Sequence, residues 1–238
     1  MDVTQLTGTL FLDIETVRSQ ADFSQLSDRF QAHWQRKSSF LSEDSPQSTY
    51  HEQAGIYAEF GKIIVIGIGW FTNRAGDLRF RTRAISGHDE KAILEEFLEF
   101  FQAPAQRGVR RLCAHNGKEF DFPWICRRLL IHGLPLPPLL RISGKKPWET
   151  PQLIDTLELW KFGDRKAYTS LDLLAACLGL PGSKGDLQGS QVGKVYYETG
   201  DLKRIATYCQ KDVAVLAQVY LRLLGEPALK PEKILIQG

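Results

Sequence analysis

The chain has 238 residues, enough to bury a substantial core in one large domain or two small ones, and its 43% hydrophobic and 24% charged content excludes disorder over the whole length. A formal charge of only +2 excludes a global field that would draw in nucleic acid, so any such binding must come from local basic clusters. The four cysteines, Cys113, Cys126, Cys177 and Cys209, form no C-x-x-C pair, which excludes a structural zinc site or disulfide framework of the usual spacing.

All four cysteines sit in apolar stretches, so reduced, buried thiols in a cytoplasmic protein are expected. The start of the chain has no basic segment followed by an apolar run and a cleavage site. The longest apolar stretch, Ile63 to Phe71, is too short to span a bilayer.

In chain order, Thr9 to Ile14 (TLFLDI) reads as a short buried strand ending in acids. Residues 19 to 60 are polar, with Leu26, Phe30 and Trp34 four apart. That spacing predicts one amphipathic helix, then a loop around Pro46 and a second short helix near Ala54 to Phe60. Lys62 to Phe71 is the strongest strand, Asn73 to Asp77 a turn, and Leu78 to Ile85 an alternating, half-exposed strand. Asp89 opens a helix with Ile93, Leu94, Phe97, Leu98 and Phe101 at helical spacing.

Val109 to His115 reads as a fourth strand, Phe122 to His132 as a helix stopped at Gly133, and Leu153 to Leu157 as a fifth strand. Ser170 caps a helix that closes at Gly179, and Asp201 caps a last long helix reaching about Leu224. From Glu226 onward two prolines and no periodicity suggest an appendage. Three strands in a meander, followed by strand–helix alternation, predict an α/β mixed sheet flanked by helices. The expected organisation is a single domain over 1–225, with 19–60 as a helical insertion between the first two strands and 226–238 as a tail.

Four acids stand where acids are awkward. Asp13 and Glu15 alternate at the end of an apolar strand, so they leave one face of the sheet and repel unless a cation neutralises them. Asp121 lies between a strand and the helix it feeds, where a helix cap is the plain alternative. Asp212 borders the apolar stripe of the last helix, one turn after Tyr208.

Taken in order, FLDIET (Phe11 to Thr16), N-x-x-x-F-D (Asn116 to Asp121) and Y-x-x-x-D (Tyr208 to Asp212) resemble the three motifs of the DEDDy 3′–5′ exonucleases, members of the ribonuclease-H-like superfamily. The resemblance covers roughly residues 9 to 224. It is strongest to stand-alone exonucleases similar to the proofreading domain of family-B DNA polymerases, with Gly182 to Val195 adding to it. The sister DEDDh group has a histidine five residues before the last aspartate; that position here is Thr207.

The resemblance implies a ribonuclease-H-like fold and hydrolysis from the 3′ end of single-stranded DNA. It implies two Mg²⁺ or Mn²⁺ ions, roughly 3.5–4 Å apart, held by carboxylate oxygens. Asp13 would bridge both ions, Glu15 and Asp212 would hold the ion that activates water, Asp121 would hold the other, and Tyr208 would position the water. Asn116 and Phe120 would touch substrate, with core packing the alternative for Phe120, and Lys184 in its Gly-rich loop would contact phosphate.

Other basic pairs and clusters (Arg127 and Arg128, Lys145 and Lys146, Lys161, Arg165 and Lys166) read as solvated surface, and His115 as a strand-end residue. Competing readings are an RNA 3′-end-processing nuclease of the same chemistry, a silent nucleic-acid-binding module, and a partner-binding domain using residues 19 to 60. The residues carry no signal that separates DNA from RNA or sets the oligomeric state.

Overall fold

The computed structural model describes residues 3–103, 108–164, 168–182 and 187–237. Helix α1 (Val3–Thr7) leads into β1 (Thr9–Arg18), followed by α2 (Asp28–Ser38) and α3 (Pro46–Gln53). A hairpin of β2 (Gly61–Arg74) and β3 (Asp77–Ser86) precedes α4 (Glu90–Gln102), β4 (Arg111–Ala114) and α5 (Asp121–Ile131). Then come β5 (Leu153–Asp155), α6 (Thr156–Lys161), α7 (Leu171–Cys177), α8 (Val192–Glu198), α9 (Leu202–Leu223) and β6 (Ile234–Ile236).

Among the described residues the strands form one six-stranded sheet ordered β5-β4-β1-β2-β3-β6. β1, β2 and β3 are an antiparallel meander, while β4 is parallel to β1, β5 to β4, and β6 to β3. This is the α/β, ribonuclease-H-like mixed sheet expected from the sequence.

The period of two along β1 sorts its side chains between two helical layers. Leu10, Leu12 and Ile14 belong to the core formed with Ile93, Leu94 and Phe97 of α4 and Phe122, Ile125 and Leu129 of α5. Phe11 packs with Val213, Leu216 and Tyr220 of α9, and Val17 with Ile205 and Cys209 of the same helix. Asp13 and Glu15 fall between Phe11 and Val17 in that alternation, so their carboxylates are on the α9 side.

Helix α9 reaches the sheet unusually closely because β2 presents glycines to it. A Cβ on Gly67, the partner of Asp13 in the ladder, would lie 2.7 Å from Cys209 Sγ and 2.9 Å from Val213 Cγ2. One on Gly69 would lie 2.6 Å from Val213 Cγ1. These contacts leave no room for a side chain, so the absence of one sets the height of α9 above the strand that carries Asp13.

The structure departs from the sequence expectations in several places. Pro46 starts α3 instead of lying in a loop: Ser45 Oγ accepts from Ser48 N, and proline loses nothing in a first turn whose N–H groups have no intrahelical acceptor. Residues 54–56 form a 3₁₀ turn in place of the second helix, and Leu26 precedes α2, buried beside Phe23, Trp34, Tyr50 and Phe60 in a small separate core. The fifth strand stops at Asp155, which caps α6 by accepting from Leu157 N and Glu158 N. The last residues are not a loose appendage. Ile234–Ile236 pair with Phe80–Thr82, and Gln218 exchanges two hydrogen bonds with the Leu229 backbone. A three-residue strand is too short to show a period. Cys177 is exposed, against the expectation for all four thiols.

Candidate active site

β1, α5 and α9 bring the three sequence motifs together. Asp121 is the first residue of α5, and its Oδ1 accepts the Ile14 backbone N–H at 3.1 Å. The second motif is thus bonded to the residue between Asp13 and Glu15. On the other side, Asp201 caps α9 by accepting from Arg204 N, and the helix runs with Tyr208 and Asp212 one turn apart. Cys209 Sγ–H donates to Asp13, at 3.2 Å to Oδ2 and 3.4 Å to the backbone oxygen. The Tyr208 hydroxyl hydrogen-bonds the Asp212 carboxylate.

Asp13 is partly accessible, whereas Glu15, Asp121 and Asp212 are only 7%, 4% and 8% exposed. Burial first, then the charges of Glu15, Asp212 and Asp121, pushes the Asp13 carboxyl well above the ordinary range. Glu15 is raised in the same way by burial and by Asp212 and Asp121. Asp121 is pushed up to about 7 by burial, against the pull of the backbone N–H groups of Asp121 and Ile14. Burial and the adjacent Asp212 and Glu15 raise the Tyr208 phenol, so it stays neutral at any ordinary pH.

Four clustered carboxylates, two of them raised by the charge of their neighbours, fit a divalent cation, and oxygen donors suit a hard ion such as Mg²⁺ or Mn²⁺. Ligand atoms of Asp13, Glu15 and Cys209 all lie within 4.8 Å of one another, a spacing one ion can span. The thiol already orients Asp13, a part that sequence reading missed although it expected Cys209 to be reduced and buried.

Asp155 was missed as well. Its buried carboxylate accepts from Asn116 N at 2.9 Å and Lys118 N at 3.1 Å, folding the loop that leads to Asp121. Its signature was an acid between a strand and a helical pattern, which is that of an N-cap. Asn116 is in the left-handed region with φ +58°, a conformation asparagine tolerates better than most residues. Phe120 is half-buried on Trp124, with ring centroids 5.9 Å apart, yet it also lines the cleft beside Glu15.

His115 is held between Thr156 Oγ1 and the Thr169 carbonyl, away from any role in this cluster. Arg128 is not solvated surface: it is 8% exposed and its guanidinium pairs with Glu90. Lys184, Arg165 and Lys166 lie outside the described residues.

The cleft along Glu15 has a volume of about 650 Å³ and runs past Arg18, Gly55, Phe120 and Lys194. A larger cavity of about 960 Å³ lies between α2 and α5, with Glu59 as its sole acidic lining residue among those described, so it is no rival for the charge cluster.

A family model described as "predicted 3′–5′ exonuclease related to the exonuclease domain of PolB" matches residues 56–228. The chain belongs to this exonuclease family. The matched span holds Asp121, Tyr208 and Asp212, while the strand carrying Asp13 and Glu15 lies ahead of it and is joined to it by pairing with β2 and β4. The exonuclease is also similar in fold to the family B DNA polymerase from the hyperthermophilic archaeon Pyrobaculum calidifontis, with a TM-score of 0.56 and 14% identity. That match covers 91% of this chain and 24% of the polymerase, so the exonuclease spans about a quarter of that protein. No curated protein sequence matches it.

Proposed function

We propose that the protein is a metal-dependent DEDDy-type exonuclease that removes nucleotides from the 3′ end of single-stranded DNA. One observation carries this: Glu15, Asp121 and Asp212 are buried beside Asp13, and the charges of Asp212 and Asp121 raise the proton affinity of both Asp13 and Glu15. A divalent ion is the natural substitute for those protons. Asp13, Glu15, Asp121 and Asp212 would hold two Mg²⁺ or Mn²⁺ ions, which supply charge stabilisation for the attacking and leaving oxygens of a phosphodiester.

The chain's own groups do the rest. Asp13 is fixed by Cys209 and Asp121 by Ile14 N–H, so two of the acids are oriented before anything binds. Tyr208 stays protonated, and a neutral phenol is a hydrogen-bonding group and a poor base, so it would orient the attacking water. Phe120 offers a ring at the cleft wall on which a terminal base can stack. A lone strand fits such a cleft better than a paired end, whose fraying costs on the order of 1–2 kcal/mol for each base-pair step.

The test is digestion of a 5′-labelled oligonucleotide with Mg²⁺, with Mn²⁺ and with a chelator. A ladder shortening from the 3′ end, absent with chelator and slower on a blunt duplex, is expected. Binding without cleavage would mean a silent module, and faster cleavage of the matched RNA would reassign the substrate.

A further inference from the structure

The cleft that begins at Glu15 carries a cation with no assigned task. Arg18 is on the same strand as the first two acids, three residues beyond Glu15, or about 10 Å along an extended chain. Its guanidinium lies over the Tyr197 ring, 4.2 Å from the centroid, and its Nε donates to the Ala21 carbonyl at 3.0 Å. Tyr197 is fixed in turn because its hydroxyl donates to the Arg18 carbonyl at 2.5 Å.

One face and one nitrogen of the guanidinium are thereby used, and Nη1 lies beside Gly193 in the wall of the cleft that Arg18 lines. Among the described residues no carboxylate lies within ion-pair distance of Arg18. Lys194, the other strong base in the cleft wall, leans on Glu198 at 4.0 Å. A held arginine fork with free Nη donors matches the oxygens of a phosphate, and its rigidity reduces the ordering cost of binding.

We propose that Arg18 binds a backbone phosphate of the substrate strand, about one or two nucleotides 5′ of the scissile bond, with Tyr197 as its support. The inference rests on the exonuclease reading for the direction of the strand. It gives the enzyme a preference for strands long enough to reach the clamp. A substrate with a single phosphate, such as the dinucleotide dTpdT, can occupy the acid cluster without reaching it.

Binding of a fluorescent single-stranded oligonucleotide in chelator tests the site without relying on hydrolysis. Arg18→Ala is expected to weaken binding about tenfold to a hundredfold, as for loss of a charged hydrogen-bonding group. The slope of log K against log salt should also become shallower by about 0.7 to 1. Arg18→Lys keeps the charge but loses the fork, so it should restore the salt slope and only part of the affinity.

A methylphosphonate scan identifies the phosphate. Wild type should lose affinity at one position, and Arg18→Ala should lose nothing further there. Equal binding by wild type and Arg18→Ala, or additive losses at every methylphosphonate position, would overturn the proposal. Failure of wild type to cleave any strand while the Arg18 effect on binding persists would sink the exonuclease reading and leave the phosphate site standing.

Discussion

Two clusters of buried acid in this protein have opposite chemistry. Glu90, 5% exposed, is surrounded by donors: Oε1 accepts from Ile63 N and Arg128 Nε, and Oε2 from Arg128 Nη2 and His132 Nε2. Arg128 spends its remaining Nη on the Ala58 carbonyl. This cluster ties α4, α5 and the start of β2 together, and its charge is complete without a ligand. The donors to Asp13, Glu15, Asp121 and Asp212 include the backbone N–H groups of Ile14 and Asp121, a thiol and a phenol. An acid buried beside arginine is architecture, whereas acids buried beside one another form a binding site waiting for charge.

The comparison is broken most severely by removing one member of each cluster. Asp13→Ala or Asp212→Ala should abolish 3′–5′ cleavage, with the protein folded and the metal-free melting temperature unchanged or higher, because repulsion is relieved. Arg128→Ala should do the reverse, costing about 3–5 kcal/mol by stranding Glu90. Cleavage by the folded remainder should persist. Single-turnover assays beside thermal melts separate the two outcomes. A destabilised Asp13→Ala, or an Arg128→Ala of wild-type stability, would erase the distinction.

Tyr208→Phe is a finer cut within the charged cluster. It removes the hydroxyl bonded to Asp212 and leaves the ring among its neighbours. Loss of one positioning hydrogen bond should slow cleavage by roughly tenfold to a thousandfold at saturating Mn²⁺, with metal affinity little changed. A normal saturated rate with weaker metal binding would instead make the phenol a support for Asp212.

The sheet meander, the helix that Asp89 caps, α9 and all four acids were legible because each rests on a local pattern: a period, a cap, or an acid in apolar company. The parts that were not legible depend on distance in space. Arg128 looks like its neighbour Arg127 in sequence, and only the approach of Glu90 from α4, 38 residues away, makes it a buried partner. Cys209 reads as a core thiol until β1 brings Asp13 to it across 196 residues. Asp155 looked like strand because the run Leu153 to Leu157 is apolar around it, and capping competed with that pattern and won. The tail is held by the β6 ladder to β3 and by Gln210 and Gln218 of α9, which bond the Gln237 and Leu229 backbone, and none of these partners is written in the tail itself.

The smallest expected effect is the one that reads the charge imbalance directly. Asp13, Glu15 and Asp121 hold protons more tightly folded than unfolded, where their ordinary values are 3.8, 4.5 and 3.8. Between those values and about 7 for Asp121, these three acids bind more protons in the native state than in the unfolded chain and so lower stability as pH rises; burial lowers His115, which opposes them only up to 6.5, its ordinary value. Asp22 works in the opposite sense, since its hydrogen bonds to Ser24 lower it to about 2, but its contribution is complete above 3.8 and is constant across this window.

Metal-free protein should therefore melt at progressively lower temperature from pH 5 to pH 8. Mg²⁺ or Mn²⁺ should reverse the fall at pH 8, by about 2.7 kcal/mol at a hundredfold excess over Kd, and do little at pH 5 where protons occupy the cluster. Asp13→Asn should flatten both dependences. Metal-free stability that rises from pH 5 to pH 8, or a metal effect independent of pH, would show that the buried acids are already compensated.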